Sequence, residues 1–172
     1  MAGQSKATKH PDPTSNNKKK HNPCILQWNM RGMGTQGDEL KALVKEFNPI
    51  AVFLQETKCK FQYLVKLDRY IPIPLSNEPY GIAIYVRSDI PFSSISLDTS
   101  LRAAAVRLTF NKRVISVCSI HLTDDSDYKV EEADLLNLVN QLSGPFLLLG
   151  DFNGHSPLWG CDKINQIFPE GK

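Results

Sequence analysis

No stretch of the 172 residues approaches the ~20 consecutive apolar residues that a membrane-spanning helix needs. The first residues are polar and lysine-bearing, with no apolar segment, so no secretory signal is expected. The four cysteines, Cys24, Cys59, Cys118 and Cys161, form no CxxC pair and no zinc-finger spacing. Free thiols in a reducing compartment, nucleus or cytoplasm, are therefore expected rather than disulfides. There is no GxSxG elbow and no GxxxxGK[ST] loop, which removes serine-hydrolase and phosphate-loop chemistry. Internal repeats are absent as well. Nor is there a broad basic surface. Five lysines and one aspartate lie in residues 1–23, so with a net charge of +2 the remainder is slightly acidic. Nucleic-acid binding by the body of the domain then needs a local groove or a metal ion.

What is present reads as one domain preceded by a tail. Residues 1–23 hold almost nothing apolar and are expected to form a disordered basic tail. Lys18–Lys20 in it read as a solvated charge run, or as a phosphate contact. From Cys24 the pattern changes. Residues 24–29 form a short apolar run ending in Asn29, followed by a turn-forming Arg-Gly-Met-Gly. Asp38 is placed to cap a helix reaching Phe47, with Leu40, Leu43, Val44 and Phe47 on one face. Residues 50–54 are a β-type run, with Gln55, Glu56 and Thr57 at its end. Pro72 and Pro74 are expected to break any regular element between residues 58 and 79, apart from a short helix near Phe61–Leu67. Residues 81–87 alternate as a half-buried strand. Residues 103–110 and 113–121 are two more, joined by Asn111-Lys112 as a tight hairpin turn. Residues 124–127 form an acidic loop, and residues 130–142 carry a helical stripe. Ser143-Gly144-Pro145 ends it, and residues 146–149 run into Gly150 as a fully buried strand. Strands and helices alternating at this spacing give an α/β class.

Polar residues gather where strands finish. Asn29, Glu56, His121, Asp151 and Asn153 each sit at or just past a strand end. If those ends converge, two carboxylates, two amides and an imidazole meet. Such a set suits a hard divalent cation, Mg²⁺ with Mn²⁺ as a second possibility, rather than zinc. A bound Mg²⁺ would polarise a phosphoryl oxygen, an Asp would orient water, and an Asn amide would hydrogen-bond developing charge. Each residue also has a plainer reading. Asp151 and Asn153 satisfy an Asx-type turn, Asn29 shapes a turn, Glu56 pairs with Lys58, and His121 is a satisfied edge residue.

The series ILQWN (25–29), FLQET (53–57), GIAIYVR (81–87), ISVCSIHL (115–122) and LLGDFNGHSPLWG (148–160) resembles the endonuclease/exonuclease/phosphatase superfamily. Within it, the chain is most similar to the endonuclease domain of jockey- and I-factor-type retrotransposon polyproteins without long terminal repeats. The resemblance covers about residues 24–165. It implies a four-layer α/β sandwich, two packed β-sheets flanked by helices. It implies Mg²⁺-dependent nicking of a DNA substrate to prime reverse transcription by the parent RNA-directed DNA polymerase. By position, Glu56 and Asn29 would hold the metal, Asp151 would activate water, and Asn153 would stabilise the transition state. His121 stands where the family usually has Tyr, as a donor to phosphate. The acidic residues 124–127 would repel a DNA backbone. The likeness fades after Asn165, and no histidine follows His155 to complete the family's closing Ser-Asp-His motif. The expectation is thus a domain incomplete at its C-terminus, with exposed strand edges and little nicking by this chain. Two alternatives keep other classes open. One is a non-catalytic remnant that binds DNA weakly through the lysine tail, the other a phosphomonoesterase of the same fold.

Overall fold

A computed structural model describes residues 23–75, 81–122 and 130–154, together with Gly160. The lysine tail, the acidic loop, His155 and the segment around Asn165 lie outside these residues. Chain order is β1 (Ile25–Asn29), α1 (Met33–Phe47), β2 (Ala51–Gln55), a 3₁₀ turn (Phe61–Tyr63), β3 (Tyr70–Pro72), β4 (Ala83–Arg87), β5 (Phe92–Ile95), β6 (Ala103–Phe110), β7 (Arg113–His121), α2 (Glu132–Asn140) and β8 (Phe146–Asp151). The strands form two four-stranded sheets, ordered β1-β2-β4-β3 and β5-β6-β7-β8. Each contains one parallel pair, β1 with β2 and β7 with β8.

Three apolar clusters set the layers. Phe53, Ile84 and Val86 meet Val106, Leu108 and Val117 between the sheets. On the outer face of the first sheet, Leu40 and Val44 of α1 cover Val52, Leu54 and Tyr85. Over the second sheet, Leu138 of α2 and Leu142 just past its end cover Ala105, Cys118 and Ile120. The order is helix, sheet, sheet, helix, the expected four-layer α/β sandwich. Strand alternation explains the sharing, because successive residues face opposite sides. In β2, Ala51 and Phe53 face the other sheet while Val52 and Leu54 face α1, so all five residues of the strand are buried.

Several expectations change. Helix α1 begins at Met33, inside the supposed turn, and Asp38 is a mid-helix residue bonded to Lys41 at 2.8 Å. Met33 is buried and its amide donates to the Thr57 carbonyl, so tertiary contact overrides the two glycines beside it. Only a 3₁₀ turn forms near residues 61–67. Pro72 does not break the chain there, because it ends β3, an edge strand where its missing N–H costs no ladder bond. Strand β5 was unforeseen; its sequence FSSI has too few apolar residues to signal itself. Helix α2 is shorter than residues 130–142, opening with a reciprocal Glu131–Asp134 cap. Lastly, β8 is not fully buried: Phe146 and Leu147 are 45% and 40% exposed. It is the last strand of its sheet among the described residues, so one flank has no partner strand. The β6–β7 hairpin turns at Asn111 and Lys112 as expected, both at positive φ (49° and 61°), as a twist-matched two-residue turn demands.

Candidate metal and phosphodiester site

The inter-sheet interface grows more polar toward the ends of four strands. Along β1 it runs Ile25, Gln27, Asn29; along β2, Ala51, Phe53, Gln55; along β7, Val117, Ser119, His121. In β8, Leu149 packs in the inter-sheet cluster, and Asp151 follows on the same face two residues on. Both parallel pairs end in register, Asn29 opposite Gln55 and His121 opposite Asp151. One layer inward, Gln27 Nε2 donates to Gln55 Oε1 at 2.6 Å, and Gln55 Nε2 donates to Ser119 Oγ at 2.8 Å. This chain of bonds crosses from one sheet to the other, with Gln55 and Ser119 fully buried.

Glu56 stands one residue past β2, where continued alternation would send it toward α1. Its φ of 50° breaks the alternation, a left-handed conformation that strains a non-glycine residue. The carboxylate instead reaches Asn29, whose Nδ2 donates to Glu56 Oε1 at 2.8 Å and to Asp151 Oδ2 at 2.5 Å. One amide thus ties a carboxylate of the first sheet to a carboxylate of the second. The Lys58 ammonium lies 3.9 Å from Glu56 and is more than half exposed, so it neutralises that charge only weakly. Asp151 divides its oxygens: Oδ1 accepts from the Asn153 amide at 3.0 Å, closing an Asx-type turn, while Oδ2 faces the site. Asn153 sits at φ 44°, with Nδ2 donating to the Leu122 carbonyl at 2.5 Å. His121 is not an edge residue. Its side chain is only 9% exposed, Nε2 lies 4.0 Å from Glu56 Oε1, and Nδ1 is buried without a hydrogen-bond partner.

Gly150 sets the approach of Asp151. A Cβ there would lie 1.9 Å from the Ile120 carbonyl oxygen, and its φ of 140° is closed to L side chains. Glycine is required for β8 to lie this close to β7.

The sequence profile of the Endonuclease/Exonuclease/phosphatase family matches residues 26–169. The chain belongs to that family. Similarity extends to a "Probable RNA-directed DNA polymerase from transposon X-element" of Drosophila melanogaster, 24% identical over 152 residues. That match takes in 83% of this chain and 16% of the relative, so the chain spans a small part of the polyprotein's length. Among solved structures, the endonuclease domain of TRAS1, a telomere-specific non-LTR retrotransposon, superposes with a TM-score of 0.64 at 18% identity. It covers 85% of this chain and 68% of that one. Humanized D. rerio TDP2 gives 0.60 at 21% identity, covering 83% and 67%. The AP endonuclease LMAP of Leishmania major gives 0.58 at 15%, covering 76% and 55%. These likenesses carry the family's fold.

A divalent cation is general in the family, and the residues here fit one. Glu56, His121 and Asp151 each present a ligand atom within 4.8 Å of the others. Two carboxylates and an unpartnered imidazole are a cation's donors, not a hydrogen-bonding set complete in itself. Asn29 would have to use Oδ1, since its Nδ2 is what now meets the carboxylates. Beside the cluster lies a cavity of about 570 Å³, lined by Arg31, Lys41, Thr57, Lys58 and Tyr63 among others. Reading residues one at a time missed this wall. Arg31 and Lys58 each lie two positions beyond a site residue, Asn29 and Glu56, and that spacing was the available signal. Gln55 and Ser119 were missed because a lone polar residue in an apolar strand carries no mark of its partner. No helix among the described residues is long and apolar enough to cross a membrane.

Proposed function

We propose that this chain is the nuclease domain of a non-LTR retrotransposon polyprotein, cutting one strand of target DNA so that the freed 3′-hydroxyl primes reverse transcription. The carrying observation is that Asn29 joins Glu56 and Asp151 across the two sheets, with His121 beside them, in a chain of this family. Glu56, Asp151 and Asn29 would hold Mg²⁺, or Mn²⁺, which when bound supplies charge for a phosphoryl oxygen. The Asp151 carboxylate hydrogen-bonds the attacking water, takes its proton and aims it at phosphorus. Asn153, once its amide exchanges the Leu122 carbonyl for substrate, donates to a non-bridging oxygen. His121 lines the same site, beside both carboxylates. The lysines of residues 1–23 and the wall formed by Arg31, Lys41 and Lys58 would track the backbone. Nucleus or cytoplasm is the setting this chemistry implies.

The test is conversion of supercoiled plasmid to open circle in Mg²⁺, with Glu56→Ala beside the native chain. Nicking that depends on the metal ion is expected from the native chain. The substitution should abolish it. Equal rates in both proteins would sink the assignment. Hydrolysis of inositol phosphates without nicking would move the chain to the phosphomonoesterases. DNA binding lost on deleting residues 1–23, with no cleavage at any metal concentration, would make it a binding remnant.

A further inference from the structure

We infer that His121 is itself a cation ligand, and that it turns this site toward Mn²⁺ and away from Mg²⁺. The inference rests on the metal-site reading above and names which ion that site selects. The imidazole is nine-tenths buried, yet Nδ1 has no partner and Nε2 faces Glu56 Oε1 at 4.0 Å, beyond hydrogen-bond range. Its backbone is fully committed: the amide donates to the Arg102 carbonyl, and the strand register sets it opposite Asp151. The backbone is therefore held in place while Nδ1 stays without a partner and Nε2 faces the Glu56 carboxylate. Burial of such a ring is unfavourable unless something takes a lone pair.

The neighbours decide what that something is. Glu56 and Asp151 supply oxygens within 4.8 Å of the imidazole nitrogen, and the Lys58 ammonium is 3.9 Å from Glu56 Oε2. Donors around one six-coordinate ion at about 2.1 Å are about 3 Å apart when adjacent and just over 4 Å when opposite. Three donor atoms within 4.8 Å of one another are near enough to close onto one ion. Two carboxylates alone would suit Mg²⁺. Mg²⁺ holds nitrogen poorly and prefers oxygen and water, whereas imidazole strengthens binding across the first transition row. Mn²⁺ accepts the mixed set while keeping the octahedral, oxygen-rich geometry that the carboxylates offer.

The experiment titrates the chain with Mn²⁺ and follows loss of the free-ion electron paramagnetic resonance signal, then displaces it with Mg²⁺. Native protein should hold Mn²⁺ against Mg²⁺ in excess of about 100-fold, and His121→Tyr should lower the required excess about tenfold or more. Electron spin-echo modulation of the Mn²⁺-loaded native chain should show coupling to an imidazole nitrogen. That measurement needs no variant, so misfolding of His121→Tyr leaves the question answerable. Absence of nitrogen coupling, or an unchanged Mn²⁺/Mg²⁺ ratio in a folded variant, overturns the inference. Nitrogen-coupled Mn²⁺ in a chain that never nicks DNA would sink the nuclease reading and leave His121 a ligand.

Discussion

In the first sheet the parallel pair β1–β2 holds one enclosed strand: β2 lies between α1 and the second sheet, and every residue of it is buried. In the second sheet the parallel pair β7–β8 finishes on a strand whose first two residues are more than a third exposed. Yet each pair delivers one carboxylate to the same amide. Strand β2 is positioned by side chains, since Phe53 and Leu54 are packed on its two faces. The edge pair is positioned by backbone, since only a glycine lets β8 approach Ile120. A site assembled from both tolerates different kinds of damage on its two sides.

Substituting Gly150→Ala should have the largest effect, about 4 kcal/mol or more in urea unfolding, because a Cβ meets backbone that cannot retreat. A folded variant with native stability would break the contrast drawn above. Next, Leu54→Ala should destabilise by about 2–5 kcal/mol, the range for emptying a closed core. Leu147→Ala, on the exposed stretch of β8, should cost under about 1 kcal/mol in the same measurement. Similar values for the two leucines would show that β8 is as enclosed as β2. An effect between those of the two leucines is expected at the seam between the sheets. Gln55→Leu strands Gln27 and Ser119 without their shared partner and should cost about 1–3 kcal/mol. Its cation affinity should fall further than that of an equally destabilised core variant.

The smallest effect is electrostatic and lies at the end of β4. Arg87 donates to Asp89 at 2.6 Å and 3.2 Å, which holds that carboxyl below its usual range. A depressed carboxyl stabilises the fold above its unfolded value of about 3.9 and loses that contribution as pH falls through the lower folded value. Asp89 is two-thirds exposed, so the contribution is under about 0.5 kcal/mol. Native and Asp89→Asn proteins should therefore differ slightly in melting temperature at pH 7 and coincide at pH 2.

How much of this was legible follows from the same contrast. Strands with strong apolar runs or alternation, β1, β2, β4, β6 and β7, were readable because periodicity reports burial. Strand β8 was read as a strand, but its exposure was not, since an apolar run cannot tell an edge from a centre. Strands β3 and β5 were hidden for opposite reasons, one by a proline that an edge tolerates, the other by two serines. The ends of strands were visible, and Asn29, Glu56, His121 and Asp151 do meet. What no local pattern contains is the distance between sheets. Across that gap Gln55 bonds Ser119, and Gln27 bonds Gln55, residues far apart in sequence and unremarkable alone. The turn at Glu56 was equally hidden, because a left-handed glutamate looks like any other in sequence.

The amide of Asn29 fastens two sheets by bonding a carboxylate from each. Two like charges held by one neutral clasp leave a repulsion that only a cation removes. An ion bound between those carboxylates would couple ion binding to sheet docking, each strengthening the other. The melting temperature becomes a reporter of the site: it should rise with the logarithm of ion concentration above the dissociation constant. A heating curve in a plate reader can therefore rank ions for this protein before any substrate is known.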